Sequence, residues 1–206
     1  MKNIELLEQA IIVNSKEDSN QLIKQFLLSN QLQSNKFNPF DYCDPKDFRS
    51  ALRGVLHRDG CKIATDSLML IVLKEDYPVE LEGKIIDKMG SMIDANFPDF
   101  VSVIPRDENC TFVKIDSARI FEIEKQYKID KKLKLVESGY VTIQGVCLQV
   151  ALLAKMVRFA NKIGTDEIGL QEPNRATKFG KGTTNCGLLM PMTPKKDYSQ
   201  IKEYIL

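Results

Sequence analysis

Asn185-Cys186-Gly187-Leu188-Leu189-Met190-Pro191-Met192-Thr193-Pro194 opens as an apolar strand and ends as something that cannot continue one. Pro191 has no backbone N–H, which confines it to a sheet edge or the residue just past it. Met190 and Met192 flank it with unbranched thioether side chains, which repack around whatever they meet. Two readings follow from these residues alone. One is a buried last strand with a proline stop; the other is an adaptable apolar edge on which a peptide docks.

Working outward, the composition narrows the classes of function. The chain has 206 residues, 43% hydrophobic and 28% charged, an ordinary balance for one large or two small globular domains. Lys+Arg total 29 against 28 Asp+Glu, so no global basic field draws in nucleic acid, and a DNA contact must come from a local patch. Cys43, Cys61, Cys110, Cys147 and Cys186 are scattered, with no C-x-x-C spacing, and His57 is the single histidine. No metal site or other cofactor is expected, and reduced thiols point to a cytoplasmic protein. Asn109-Cys110-Thr111 fits a glycosylation sequon without a secretory leader, and no run reaches membrane-span length, so no membrane partner is expected.

Periodicity divides the rest. Residues 1–35 read as a helical N-terminal arm, with Ile4, Leu7 and Ile11, then Leu22, Ile23, Phe26 and Leu27, at helical spacing. From Phe48 the pattern is strand-like. Residues 51–56 and 61–65 flank the Asp59-Gly60 hairpin signal, and 68–73 reads as a buried strand. Residues 84–95 read as a helix with Ile85, Ile86, Met89 and Ile93 inward. Pro98 and Pro105 bracket an extended linker. Beyond it, 111–115 reads as a strand, 117–127 as a helix and 133–143 as one or two strands. Residues 146–163 are read as a helix closed by Gly164, and 167–171 and 188–190 as the final strands. In the tail, Tyr198, Ile201, Tyr204 and Ile205 lie at roughly helical spacing. Sets of short strands, each with a helix, in two successive units predict an α+β fold with mainly antiparallel sheet.

Three segments together resemble the bacterial DNA polymerase III beta sliding clamp family. Leu52-Arg53-Gly54-Val55-Leu56 leading to Ala64-Thr65-Asp66-Ser67-Leu68-Met69-Leu70 is similar to a clamp strand that runs into Ala-Thr-Asp-Gly-His-Arg-Leu. Phe97-Pro98-Asp99-Phe100 with Val103-Ile104-Pro105 resembles the family's Phe-Pro-Asp-Tyr and Val-Ile-Pro junction, and the 185–194 stretch its terminal Val-Val-Met-Pro-Met-Arg-Leu. The resemblance covers roughly residues 48–194. It implies sliding-clamp repeats of antiparallel sheet with accompanying helices: abbreviated domains at 36–104 and 105–194, followed by a tail at 195–206.

The resemblance also implies a non-catalytic processivity factor that tethers or recruits replication and repair proteins to DNA. The implied peptide-binding cleft uses Leu52, Thr65, Leu70, Pro98, Val103, Leu188, Met190, Pro191 and Met192. Implied partners are double-stranded DNA, held weakly and without sequence preference by each subunit, and polymerase or repair proteins bound through short linear peptides. A homo-oligomer is also implied. Ser67-Leu68-Met69 replaces the family's Gly-His-Arg and Thr193 its arginine, so the cleft's polar rim differs. The chain has room for a shortened pair of domains, which leaves ring closure open.

For DNA, Lys155, Arg158 and Lys162 fall at i, i+3 and i+7 on the helix read at 146–163, and Lys84 and Lys88 make a shorter stripe on the one read at 84–95. Three phosphate contacts give a salt slope of only about −2.7, so a lone subunit holds DNA poorly. Gly180-Lys181-Gly182-Thr183-Thr184 lacks the order of a phosphate loop, and His57 has no Ser or Cys partner in sequence. Two alternatives stand beside the clamp reading. One is a clamp-derived peptide-binding module that never encircles DNA; the other is a small enzyme on an unrelated α+β fold.

Overall fold

The computed structural model describes residues 37–193 and 201–206; the arm read at 1–35 and the start of the tail lie outside the described residues. Two compact units emerge, residues 37–67 with 73–98 and residues 68–72 with the rest. As expected, helix and mainly antiparallel sheet combine.

The first unit is built on β1 (Gly54–Arg58) and β2 (Cys61–Thr65), joined at Asp59-Gly60, both with positive φ. That is the backbone an Asp-Gly hairpin turn requires. Leu56 pairs with Ile63, and Val55 and Leu56 pair on the other side with Ile86 and Ile85. Val55, Leu56, Ile63, Ile85 and Ile86 are all buried. A 3-10 turn, Ser50–Arg53, precedes β1, so the pairing begins later than the residues 51–56 expected from the pattern.

Residues 84–95 are not a helix. They form β4 (Ile85–Asp87) and β5 (Met92–Ile93), an antiparallel pair with Ile85 opposite Ile93; β3 (Met69–Lys74) precedes them in the chain. The Asp87 carboxylate accepts from the N–H of Met89 at 2.9 Å and Ser91 at 2.7 Å, and Gly90 supplies φ +80°. This aspartate-capped turn and the β-branched Ile85-Ile86 pair override the helical spacing of the apolar residues. Met89, expected inward, is 75% exposed.

In the second unit β6 (Thr111–Lys114), β9 (Glu167–Leu170), β10 (Thr177–Phe179) and β11 (Cys186–Leu189) form an antiparallel sheet, on which the first residues of β3 pair with β11. β10 escaped the sequence reading because its centre is Lys178, 1% exposed. Its ammonium donates to the Pro105 carbonyl at 2.8 Å and the Asp107 carboxylate at 2.6 Å.

Helix α1 (Ser117–Lys132) starts at Asp116, whose side chain caps Ala118 and Arg119, and runs a turn past the expected Tyr127. It ends in a Schellman motif, with Lys134 at φ +58° and the Leu135 N–H donating to the Asp130 carbonyl at 2.9 Å. Pairing therefore starts only at β7 (Ser138–Ile143), not at Leu133. Gln144 and Gly145, both with positive φ, then turn the chain into β8 (Val146–Gln149). Val146 and Leu148 are buried at period two, so the helix expected from 146 is α2 (Val150–Ile163). Gly164, in the left-handed conformation, ends it as expected.

The helix α2 lies on β11 at Gly187, where a Cβ would stand 2.4 Å from the Met156 methyl and 3.0 Å from the Phe159 ring. A side chain there would have to push the Met156 terminus and the Phe159 ring aside. The tail is not helical where described: β12 (Ile201–Glu203) pairs parallel with β7, and Tyr204 is buried.

Candidate functional site

The 185–193 stretch is a strand for four residues and then leaves the sheet. Leu188 faces Leu70 in the β3–β11 register, and both are buried. Met190 still donates its N–H to the Leu68 carbonyl at 2.8 Å, whereas Pro191 has none to give. The Met192 N–H then donates to the Cys147 carbonyl at 2.9 Å, carrying the chain from the end of β11, a strand paired on both sides, to β8 of the other sheet. Met190 is 43% exposed, and Pro191 and Met192 are half-buried. Leu68, whose carbonyl holds Met190, is 52% exposed. A backbone pinned on both sides of the proline has little main-chain entropy left to lose, and it presents adaptable apolar side chains there.

The remaining cleft positions divide between the units. In the first, Leu52 is buried in the 3-10 turn before β1 and Pro98 is exposed. Thr65 ends β2, and its hydroxyl accepts from the Ser67 N–H at 3.1 Å. In the second, Val103 ends a 3-10 turn and is 57% exposed. Within the second unit the structure brings together Leu70, Leu188 and the Met190-Pro191-Met192 segment. Leu52, Leu70 and Leu188 are core side chains, so the surface available to a ligand there is carried by Met190 to Met192.

Of the basic residues, Lys84 and Lys88 are exposed but share no helix: Lys84 precedes β4 and Lys88 sits in the β4–β5 turn. The stripe expected there is replaced by two loop positions. Lys155, Arg158 and Lys162 do lie on α2. Arg158 is engaged, with its guanidinium paired to Glu124 of α1 at 2.5 Å and stacked 5.0 Å over the Phe121 ring. Burial pulls the Glu124 carboxyl upward, but hydrogen bonds from Arg158 and Lys128 outweigh it and leave the pKa lowered. Ser117 donates to Asn161 at 3.2 Å, so α1 and α2 run antiparallel side by side.

Helix α1 adds basic residues that sequence reasoning missed. Lys125, Lys128 and Lys132 recur at i, i+3 and i+7 opposite the buried Ile120, Ile123 and Tyr127. The signal was the lysine-rich run from 125 to 134, obscured because Phe121, Ile129 and Leu133 put apolar residues on the same outer face. Lys128 bridges back to Glu124 at 2.8 Å. The outer face of the helix pair is therefore basic, with Glu124 neutralised in its groove.

His57 is buried, its ring centroid 4.9 Å from that of Tyr77 in an edge-on arrangement. Among the described residues no group of His, Cys, Asp and Glu could hold a metal ion, and no helix is long and apolar enough to cross a membrane.

No family model matches the chain, and no curated protein does. Solved structures match with probability 1.00. The Helicobacter pylori beta clamp solved with 3,4-difluorobenzamide superposes with a TM-score of 0.55 at 13% identity, over 75% of this chain and 61% of that one. DNA polymerase III beta of Caulobacter crescentus gives 0.54 at 15%, over 85% and 65%. The Pseudomonas aeruginosa subunit gives 0.51 at 14%, over 74% and 61%. The chain has the fold of bacterial beta sliding clamps, divergent in sequence, and it spans less than two thirds of the length of the clamps it matches.

Proposed function

We propose that this chain is a non-catalytic, sliding-clamp-like protein that recruits replication or repair proteins to DNA through short linear peptides. The observation that carries this reading is the Met190-Pro191-Met192 segment, presented at the end of β11 in a clamp fold. Each aliphatic or aromatic anchor that a partner buries contributes about 1.5–3 kcal/mol, opposed by association entropy. Micromolar affinity, about −8 kcal/mol, is the expected scale and suits exchangeable partners. Leu52, Thr65, Leu70, Pro98, Val103 and Leu188 are the further cleft positions in this reading, within clamp-like domains at 36–104 and 105–194.

The basic outer face of α1 and α2, with Lys125, Lys132, Lys155 and Lys162, is the surface assigned to DNA. Lys84 and Lys88 would add only isolated phosphate contacts. With Arg158 bound to Glu124, the per-subunit grip is weak, and retention rests on several copies or enclosure. That engagement favours a second reading, a peptide-binding module that does not encircle DNA.

Light scattering across a concentration series separates the two: a discrete closed oligomer supports the clamp, a persistent monomer the module. For the cleft, Met190→Ala with Met192→Ala weakens a clamp-binding peptide several-fold and leaves the thermal melt intact. Unchanged affinity removes the assignment.

A further inference from the structure

Residues 201–206 lie outside the clamp resemblance, and they occupy a site that they do not fill. β12 pairs with β7 at Ser138, Gly139 and Tyr140, and the Tyr204 N–H adds a bond to the Tyr140 carbonyl at 2.8 Å. β7 continues through Val141, Thr142 and Ile143, which have no strand partner on that side among the described residues. Among the described residues, half of this sheet edge is unpaired.

The occupied half reads side chains. Lys202 and Tyr204 point to the same face, and both donate to Asp130 of α1, at 2.8 and 2.7 Å. Asp130 is 4% exposed and takes a third bond from Gln126 at 2.7 Å. Gly139 leaves space for the phenol, since a Cβ there would lie 2.7 Å from the Tyr204 ring and 2.8 Å from Tyr127. On the opposite face the Thr142 hydroxyl donates to Glu203 at 2.6 Å. A buried carboxylate set between a cation and a phenol two residues apart is a specific recognition element.

Beyond Tyr204 the fit stops. An open groove of about 460 Å³ runs along α1 past Arg119, Glu122, Ile123 and Gln126. Lys202, Tyr204 and Ile205 of the resident segment form its other wall without filling it: Ile205 is 80% exposed and Leu206 44%, and the Ile205 carbonyl accepts from Arg119 at 3.0 Å.

We propose that the β7 edge, Asp130 and the α1 groove form a strand-acceptor site for an extended peptide of a partner protein. The ligand runs parallel to β7, carries Lys or Arg and then Tyr two residues apart, and continues with alternating apolar residues along Val141–Ile143. The site is separate from the Met190-Pro191-Met192 segment and does not depend on the function assigned to it. Residues 201–206 act as a tethered competitor. The resident belongs to the same chain and so competes intramolecularly, and the partner gains entry through the edge positions and groove that the resident does not fill.

Anisotropy of a fluorescein-labelled Ile-Lys-Glu-Tyr-Val-Thr-Val peptide against the full chain tests this. Tyr204→Ala weakens the resident strand and should raise peptide affinity at least tenfold over the unmodified chain. Adding Asp130→Asn should remove at least tenfold, and a peptide with Lys and Tyr replaced by Ala should bind at least tenfold more weakly. Met190→Ala with Met192→Ala, which weakens the clamp-binding peptide, should leave the affinity for this strand peptide unaltered. A folded Tyr204→Ala chain, judged by a cooperative thermal melt, that binds both peptides alike overturns the proposal. Should Tyr204→Ala not fold, Lys202→Ala takes its place with an expected gain of about threefold, and equal binding of the two peptides overturns the proposal there as well. A concentration-dependent dimer that Tyr204→Ala abolishes, without peptide binding, assigns the edge to a second copy of the chain and equally overturns it.

Discussion

The two compact units treat buried ionisable groups in opposite ways. In the second, every buried charged side chain among the described residues has partners of opposite charge: Glu124 with Arg158 and Lys128, Asp130 with Lys202, Lys178 with Asp107. In the first, His57 is buried with no partner for its Nδ1 atom. Burial above all, with the Lys62 charge adding to it, lowers its pKa from 6.5 to about 4, so the ring stays neutral. One unit solves the desolvation problem by pairing charges and the other by refusing one. The difference makes them respond differently to sequence changes and to acid.

The comparison breaks most strongly at Lys178. Lys178→Ala removes the ammonium from a closed pocket and releases both Pro105 and the Asp107 loop, which also holds the Gly182 N–H at 2.9 Å. A loss of about 3–4 kcal/mol is expected in urea unfolding, the lower part of the range for a broken buried pair because Asp107 retains access to water.

Acid sharpens the contrast. The unfolded chain protonates His57 below pH 6.5, whereas the folded chain does so only near pH 4. The stability tied to the neutral ring is thus complete above pH 6.5 and falls as pH drops toward 4, by roughly 3 kcal/mol. Asp130, lowered to about 2 first by Lys202 and then by Tyr204 and Gln126, keeps its contribution above pH 3.8 and loses it as pH falls toward 2. Hydrogen exchange at pH 4.5 should therefore show β1 and β2 loosened while α1 and β7 stay protected. His57→Phe, which keeps the edge contact on Tyr77, should flatten the slope between pH 6.5 and 4. An unchanged slope would place the acid sensitivity elsewhere.

Two smaller effects test the second unit's packing. Gly139→Ala forces a methyl against the Tyr204 and Tyr127 rings and should cost about 2 kcal/mol. It should raise exchange at Tyr204 well before the α1 amides move. Lys134→Gly goes the other way, relieving the left-handed φ of +58° and stabilising by about 1 kcal/mol in the same assay.

The stretches 84–95 and 150–163 explain what was legible. Both space apolar residues as a helix would. In the second, no internal turn former interrupts the run, and Gly164 ends it where a left-handed residue is needed. In the first, Asp87 and Gly90 close a turn in the middle, and spacing alone could not outweigh that chemistry. β8 was absorbed into the following helix because Val146 and Leu148 fit either period until Gln144-Gly145 is seen to build a hairpin. Of the candidate site, the Met190-Pro191-Met192 segment was legible because proline's missing donor is a local property. The engagement of Arg158 was not, since Glu124 lies 34 residues away.

By itself the sequence determined the turns and stops, Asp59-Gly60, Gly164 and Pro191, and the combination of helices with mainly antiparallel sheet, because backbone constraints act within a few residues. Only the tertiary structure decided which charges were available and which were consumed. Lys178 became the centre of a strand, Arg158 an interhelical bridge, and Asp130 the reader of a Lys-x-Tyr strand. Lys178 and Asp130 are buried and Arg158 is half-buried, and all three are held by partners that the chain brings close only on folding.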